Sequence, residues 1–228
     1  QDWASVTLRD SGLKNTSDYS SMTIGGLVSR TSQSDQSTQR YGLDVTRRYG
    51  VDIRETTAEP EAEIASRNVV NDGTEWTAGL FWERTWYLNG LSLQGGFRAD
   101  RAEAQVASSS TNHSDINLQL KANWQLTSAW DLTVELGSAY RLPTLSELYF
   151  EGETPRGRLL GNNALQSEET VGAQLTVLYD VGDTAFEVTA SANRVDRYIE
   201  RILVSDGLES YRNLDSGDLW GIDGQISR

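Results

Sequence analysis

The segment "DINLQLKANWQLT", residues 115–127, alternates apolar and polar side chains from Ile116 to Thr127 without interruption. The apolar set comprises Ile116, Leu118, Leu120, Ala122, Trp124 and Leu126. Successive side chains of a β-strand point to opposite faces of the sheet, so a period of two predicts a strand with one apolar and one polar face.

The same alternation recurs along the whole chain of 228 residues, and helical periodicity is hard to find. It predicts about ten strands, near residues 2–10, 19–30, 39–54, 74–87, 91–106, 115–127, 130–142, 168–181, 184–199 and 218–228. Soluble strands usually have about 5–6 residues, whereas a membrane-crossing strand needs about 9–11. The predicted fold class is therefore all-β, an antiparallel transmembrane β-barrel with about ten long strands.

The polar face of the predicted strands has charged residues at Asp44, Arg48, Arg98, Asp100, Lys121 and Glu135. In a β-sandwich this face would contact solvent, whereas in a barrel it would line a wet or plugged interior. The pattern alone does not separate these architectures, although a sandwich rarely needs strands of this length.

The predicted connections differ in length between the two ends of the sheet. Tight turns are expected at residues 88–90, 128–130 and 182–183, and Asn89-Gly90 is a strong hairpin signal. Long connections are expected at residues 55–73, 107–114, 143–167 and 200–217. Short turns at one end and long loops at the other are typical of outer-membrane barrels. The segment 31–40 departs from this rule, because it is long where a short turn is due.

Aromatic residues lie beside the predicted tight turns. Trp86 and Tyr87 precede the first turn, Trp124 and Trp130 flank the second, and Tyr179 precedes the third. Although aromatic residues are common in any sheet, this position indicates a girdle at a membrane interface.

Composition argues against several classes of function. A net charge of −13 opposes a phosphate-backbone binder, so no nucleic-acid partner is expected. The sequence has no cysteine, which excludes disulfides, thiolate catalysis and Cys-ligated metals. No metal or cofactor motif is found. The start "QDWASVTLRD" lacks the basic and apolar regions of a signal peptide, which fits a cytosolic protein, a mature form or an internal piece.

The single histidine, His113, lies in the polar segment "SSSTNHSD" two residues before Asp115. A small closed outer-membrane barrel protease that uses His113 with an aspartate is one alternative function. A soluble β-sandwich or adhesin module is another. A solvated loop histidine is the simpler interpretation, because a catalytic or metal site needs further partners nearby.

The segment "SAYRLPTLSELYFEGETPRGRLLGNNALQSEET", residues 138–170, resembles a signature of TonB-dependent outer-membrane receptors. In that family an aromatic-Arg-x-Pro-Thr step and a Glu-Leu-aromatic segment precede a Leu-Gly-Asn-x-x-Leu step and a Glu. The matching residues are Tyr140, Arg141, Pro143, Thr144, Glu147, Leu148, Tyr149, Leu160, Gly161, Asn162, Leu165 and Glu168. The family's Gly-x-Arg-x-Asp strand is similar to Gly96, Arg98 and Asp100, and its Tyr-x-Asn step to Tyr211 and Asn213. Its Gly-x-Glu step has Asp223 in place of Glu.

The resemblance implies a cell outer-membrane receptor for ligand-gated nutrient uptake, most often of a ferric siderophore, and no enzyme. Its partners would be the TonB energy-coupling complex, a metal-chelate or other small nutrient, and outer-membrane lipid. The family has an N-terminal plug and a 22-stranded barrel. We therefore expect residues 1–228 to be an internal part of one barrel domain, without the plug and the C-terminal strands.

The loop between the two halves of the signature contains a mixture of aromatic and basic residues. Tyr149, Phe150, Arg156 and Arg158 suit an anionic, aromatic or chelated ligand, although they could instead pack the loop or meet lipopolysaccharide phosphates. The motif residues Arg141, Pro143, Glu147, Gly161, Asn162 and Glu168 are interpreted as structural. Arg141 and Glu147 are expected to form a charged pair that fixes the bend from strand to loop.

Overall fold

A computed structural model describes the backbone of residues 2–8, 14–58, 65–154 and 157–228, and the side chains of 16–56, 67–154 and 157–228. The described elements, in chain order, are β1 Asp2–Leu8, β2 Lys14–Ser34, β3 Ser37–Ala58, β4 Ala65–Leu88, β5 Leu91–Val106, β6 Ser109–Gln125, β7 Trp130–Arg141, α1 Leu145–Tyr149, β8 Glu151–Thr154, β9 Gly157–Leu160, β10 Glu168–Val181, β11 Thr184–Asp196, β12 Ile199–Ser205, β13 Leu208–Asn213 and β14 Ser216–Ser227. In these ranges, no helix has the length and apolar character needed to cross a membrane.

Ten strands form one open sheet, here called the wall, in the order β1-β2-β3-β4-β5-β6-β7-β10-β11-β14. Every neighbouring pair is antiparallel. β2, β3 and β4 have 21, 22 and 24 residues, so they can cross the hydrocarbon and project beyond it. The prediction of an all-β, antiparallel partial barrel of about ten long strands is confirmed.

The two faces of the wall differ in chemistry. The outer face is the one that has Leu80, Phe97 and Leu118, which are exposed and lie on neighbouring strands. The inner face has the polar set, in which Arg98 contacts Asp44 and Lys121 contacts Glu135. The predicted division of the strands into an apolar and a polar face therefore describes the wall.

Tight turns connect the wall strands at one end, here called the turn end. They lie at 35–36, 89–90, 126–129 and 182–183. Gly90 has a φ of 71°, which glycine adopts without a steric penalty. The expectation of a long connection at 31–40 was wrong, because β2 and β3 pair as far as Ser34 and Ser37. Both faces are polar in this segment, so no alternation marked it as strand.

At the opposite end, here called the loop end, two further expectations were wrong. Residues 107–114 contain only a two-residue connection, because β5 pairs with β6 up to Val106 and Ser109. Most of 55–73 belongs to β3 and β4, and 59–64 lie outside the described residues. The long connections expected at 143–167 and 200–217 are confirmed, since each joins two neighbouring wall strands. The first contains α1, β8 and β9, and the second contains most of β12 and all of β13.

The elements α1, β8, β9, β12 and β13 are here called the loop assembly. Its four strands form a second sheet in the order β12-β13-β9-β8, in which β13 and β9 are parallel. One strand pair thus comes from each of two long connections, 142–167 and 197–215. The two connections therefore fold as one unit.

The loop assembly lies over the inner face of the wall at the loop end. The ladder between β6 and β7 stops at Gln119 and Gly137, whereas β7 stays paired with β10 up to Arg141. Leu148 then packs in an apolar cluster that includes Val51 of β3 and Ala104 of β5. At the loop end, β7 is therefore no longer paired with β6, and this separation directs the chain toward the inner face.

Candidate functional site

Arg141, the last residue of β7, lies at the centre of a charged network. Its Nε and Nη2 donate to the two carboxylate oxygens of Glu168 at 2.7 and 2.8 Å, and its Nη1 donates to Glu147 at 2.9 Å. Glu168 also accepts the backbone N–H of Ile199 at 2.7 Å. This network joins β7, α1, β10 and β12, and it contains the predicted pair of Arg141 and Glu147.

The start of α1 is fixed by a capping box. The Thr144 hydroxyl accepts the Glu147 N–H at 3.2 Å, and the Glu147 carboxylate accepts the Thr144 N–H at 2.8 Å. Pro143, which is buried, immediately precedes this cap. The short helix then directs Leu145 and Leu148 into the apolar cluster.

Gly161 and Asn162 fasten the end of β9 to α1. A Cβ at Gly161 would lie 2.6 Å from the backbone of Leu148 and Tyr149, so this position needs glycine for the close approach. The Asn162 N–H donates to the Glu147 carbonyl at 2.8 Å, and its side-chain amide donates to the Tyr211 carbonyl at 2.9 Å. Asn162 therefore links the two connections.

Asn213, at the end of β13, makes a second link between the two connections. Its side chain donates to the carbonyls of Gln166 and Arg197 at 3.0 and 2.7 Å, and accepts the Gln166 N–H at 2.9 Å. Asn213, the last residue of the Tyr-x-Asn step, thus makes hydrogen bonds to backbone groups of Gln166 and Arg197 that no neighbouring strand provides. The signature residues mainly hold the elements of the loop assembly together by hydrogen bonds.

Of the four residues predicted to contact ligand, Tyr149 and Phe150 lie half-buried against apolar clusters. The Tyr149 hydroxyl lies 2.6 Å from the Thr111 hydroxyl and donates to the Ala104 carbonyl at 3.2 Å. Phe150 packs on Ile53 and its neighbours. These contacts give both rings a role in packing, and ligand contact by them stays a prediction.

Arg158 is exposed on β9, and Arg156 lies outside the described residues. The Arg158 guanidinium donates to Glu151 on β8, which also pairs with Arg67 of β4 at 3.2 Å. These hydrogen bonds, first from Arg158 and then from Arg67, hold the pKa of the Glu151 carboxyl below its usual value. Two guanidinium groups thus converge on one carboxylate at the exposed surface of the loop assembly.

His113 lies on the inner face of β6, beneath the segment that leads into β10. The hydroxyl of the buried Ser167 donates to Asp115 at 2.8 Å and lies 3.5 Å from His113 Nδ1. A hydrolytic triad needs the histidine between the hydroxyl and the carboxylate. Here the serine lies between the other two, so the geometry gives the protease alternative no support.

A second charged cluster lies on the inner face of the wall. Arg98 makes bidentate contacts with Asp44 at 2.6 and 2.9 Å and with Asp100 at 2.8 and 2.6 Å. A Cβ at Gly79 would lie 2.2 Å from this guanidinium, so the glycine makes room for it. Among the described side chains, no group of three or more His, Cys, Asp or Glu could hold a metal ion.

A family model, TonB dependent receptor-like β-barrel, matches residues 1–228. The chain belongs to the TonB-dependent receptor β-barrel family. The solved structures of other members agree in fold. The copper transporter OprC superposes with a TM-score of 0.75 at 18% identity, over 93% of this chain and 35% of that chain.

Two siderophore receptors show the same likeness. The ferric yersiniabactin uptake receptor FyuA from Yersinia pestis has a TM-score of 0.69 at 12% identity, over 99% of this chain and 35% of that one. The ferric enterobactin receptor PfeA from Pseudomonas aeruginosa, in complex with enterobactin, has a TM-score of 0.66 at 16% identity, over 97% and 40%. This TonB-dependent receptor barrel segment therefore spans about a third to two fifths of those chains.

Sequence reasoning missed several residues that position the loop assembly. Ser167 contacts Asp115, Arg67 contacts Glu151, and Arg201 contacts the buried Glu209. No local signal marks these pairs, because the partners are distant in sequence or lie in different elements. The Asp206-Gly207 turn within "IERILVSDGLESYRN" was a usable signal for the β12–β13 hairpin.

Proposed function

We propose that this chain forms part of the wall and the extracellular loops of an outer-membrane transporter that takes up a ferric siderophore in a TonB-dependent manner. One observation carries the proposal. The chain matches the receptor family along its full length, and its two long connections fold into a single assembly over the inner face. That position is at the mouth of a barrel, where a captured nutrient would enter.

The folded state of the loop assembly supports capture of a ligand outside the membrane. Hydrogen bonds from Asn162 and Asn213, and the Arg141 network, hold the two connections in one arrangement. A preorganised surface loses less conformational entropy on binding, and this raises affinity for a scarce ligand. The exposed Arg158 and Arg67 offer guanidinium groups to anionic oxygens of a chelate.

A chelate suits this segment better than an uncoordinated metal ion. Copper sites favour soft donors from cysteine and methionine, or imidazole. The chain has no cysteine, and its one methionine and one histidine, Met22 and His113, lie on separate strands, β2 and β6. A siderophore brings its own metal ligands, so the protein needs to recognise only the surface of the complex.

We propose further that residues 1–228 are a contiguous part of one barrel domain, whose plug and remaining strands lie elsewhere in the full-length protein. The matched receptors are two and a half to three times longer than the segment they share with this chain. TonB would act through the plug, and outer-membrane lipid would surround the outer face.

The function is tested by growth under iron starvation. The full-length protein is expressed in a Gram-negative strain that lacks its own siderophore receptors, and a panel of ferric siderophores is the iron source. We expect growth on at least one of them, and loss of that growth when TonB is deleted. No growth on any ferric chelate, with the protein present in the outer membrane, would sink the proposal.

The predicted contact by Arg158 is tested in the same strain. Arg158→Ala is expected to weaken binding of the ferric siderophore that supports growth by about tenfold, as for loss of one charged hydrogen bond. Arg212→Ala is the matched control, because Arg212 is also exposed and lies on the neighbouring β13. Equal affinity of both variants would remove Arg158 from the site.

A further inference from the structure

Four arginines on the outer face of the wall differ from most others in the described part of the chain. Nine arginines there make ion pairs with carboxylates: Arg40, Arg48, Arg67, Arg98, Arg141, Arg158, Arg194, Arg197 and Arg201. Arg30, Arg47, Arg84 and Arg101 lie on β2 to β5 and, among the described residues, have no carboxylate partner. In a chain of net charge −13, this pattern needs a reason.

The four arginines form two pairs with the same offset. Arg30 lies in register with Tyr41 and Trp82, and Arg84 is two residues from Trp82 toward the turn end. Likewise, Arg47 lies in register with Trp76 and Glu103, and Arg101 is two residues from Glu103 toward the turn end. In each pair, the second arginine thus lies two strands away from the first and two residues closer to the turn end.

This offset places the members of each pair at the same depth in a tilted wall. In a wall tilted by about 40°, a step across two strands, each spaced about 4.8 Å from the next, changes the height along the membrane normal by roughly 6 Å. A step of two residues along a strand changes it by roughly 5 Å, which offsets the first change. The turns have the same stagger, since Ser37 beside the first turn is in register with Trp86, three residues before the next turn. The two arginine pairs therefore mark two levels, one close to the turn end and the other farther toward the loop end.

The surface between the two levels is apolar. Leu43, Val45, Leu80 and Phe97 are exposed there. Arg47 lies six residues from Tyr41, which corresponds to about 15 Å along the normal of a wall tilted by about 40°. Arginine side chains extend away from apolar surface toward water, which widens the interval toward the roughly 25 Å of a barrel's apolar band.

At the level nearer the loop end, the surroundings of Arg47 favour a polar headgroup. A cavity of about 220 Å³ is lined by Arg47, Thr74, Trp76, Glu103 and Gln105. The Trp76 indole N–H donates to the Glu103 carboxylate at 2.9 Å, so this acid is already engaged. Arg101, which lies two strands away on β5, contacts only the Ser114 hydroxyl at 3.3 Å among the described residues.

From these observations we infer that Arg47 and Arg101 bind the phosphate group of an anionic lipid at the loop-end boundary of the apolar band. The acyl chains of that lipid lie on Leu80 and its neighbours, and Trp76 contacts the interface region. Guanidinium groups recognise phosphate oxygens by paired hydrogen bonds. The inference rests on the proposed function, because it takes the outer face to be in a membrane.

The test measures lipid binding by the full-length protein in uncharged detergent micelles. Phosphatidic acid, diacylglycerol and inorganic phosphate are the three probes, compared at low and high salt. A basic side chain near an anionic membrane surface contributes about fivefold in affinity, so the double variant R47Q/R101Q is expected to bind phosphatidic acid roughly 25-fold more weakly. R212Q is the matched control and is expected to bind as the unmodified protein does.

Three results would overturn the inference: equal binding of phosphatidic acid by R47Q/R101Q and the unmodified protein, equal binding of diacylglycerol and phosphatidic acid, or binding of free phosphate as tight as that of the lipid. The variant R47K/R101K keeps both charges and guards against a folding defect. It should retain most of the affinity, and affinity as low as that of R47Q/R101Q would also count against the inference. The growth assay on ferric siderophores tests the proposed function separately, because it uses the unmodified protein.

Discussion

In the wall, Ile116, Leu118 and Ile222 are 67%, 60% and 74% exposed, whereas in the loop assembly Leu145 and Leu148 are 4% and 2% exposed. Both regions are rich in apolar residues, but only the loop assembly and the strand ends beneath it bury them. The wall is joined by ladder hydrogen bonds along strands of 7 to 24 residues. The loop assembly depends on packing and on side-chain hydrogen bonds.

This difference agrees with the proposed function, in which the outer face of the wall lies in a bilayer and the loop end lies in water. In a bilayer, apolar side chains on the outer face need no protein partner, and the backbone is satisfied within the sheet. At the loop end the solvent is water, so the chain must bury apolar surface to hold a fixed shape. Substitutions of one kind should therefore have unequal effects in the two regions.

The largest difference is expected for leucine truncation. Leu148→Ala removes a fully buried side chain and should lower the free energy of local opening of the loop assembly by about 3 kcal/mol. Hydrogen exchange at the Phe150 N–H, which bonds the Ser146 carbonyl, measures this opening. Leu120→Ala, on the outer face, should leave exchange at Phe150 unchanged. Equal effects would break the comparison.

Charge removal should show a smaller difference of the same sign. Arg141→Ala leaves the carboxylate of the largely buried Glu168 without its bidentate partner and should cost about 2 kcal/mol, read as faster exchange at the Ile199 N–H. The wall control is Arg194→Ala, whose partners Asp196 and Asp218 are exposed, and it should cost under about 0.5 kcal/mol. A cost for Arg194→Ala as large as that for Arg141→Ala would contradict this ranking.

Adding a methyl group tests the close approach at Gly161. Gly161→Ala forces a Cβ against the backbone of α1 and should destabilise the loop assembly by about 1–2 kcal/mol, within the range for overpacking. Gly26→Ala in β2 meets no atom within 4 Å and should be neutral. Thermal unfolding followed separately for the loop assembly and the wall distinguishes the two variants.

The smallest effect is expected from pH. Because Arg158 and Arg67 lower the pKa of Glu151, the ionised form stabilises the β8–β9 pair above the ordinary value of 4.5. That contribution falls as pH drops below 4.5 toward the lowered pKa in the folded state. Hydrogen exchange at the backbone amides of the Glu151–Leu160 pair, measured between pH 3 and 7, should show this loss of stability. Glu151→Gln should abolish the pH dependence of that stability. A loss that begins above pH 5 would assign it to another group.

The strands of the wall could be read from the sequence because the pattern that defines them is local. Ile116 to Trp124 and Val171 to Tyr179 alternate within single strands, and each strand then pairs with a neighbour along the chain. Where both faces are polar, as in 31–40 and 107–114, alternation vanishes and the strands were interpreted as loops. Trp130 and Tyr179, which the sequence places beside the tight turns, lie with Phe186 in an aromatic cluster at the turn end, with centroids 4.8 to 5.7 Å apart.

The site was only partly predictable. The signature identified Arg141, Glu147 and Glu168 as structural residues and predicted the pair of Arg141 and Glu147. It did not predict that Glu168 is the bidentate partner of Arg141. It did not show that Tyr149 would reach Thr111 and Ala104. Such contacts depend on where β7 separates from β6, and no local pattern marks that point.

Taken alone, the sequence determined the wall, its two faces and the division into a turn end and a loop end, because strand periodicity and turn chemistry act over a few residues. Only the tertiary structure decided that the connections 142–167 and 197–215 share one sheet over the inner face. Their backbone groups find partners more than 40 residues away, through side chains such as Asn162 and Asn213. The connection 142–167 is therefore a folded element, and its shape depends on the connection 197–215.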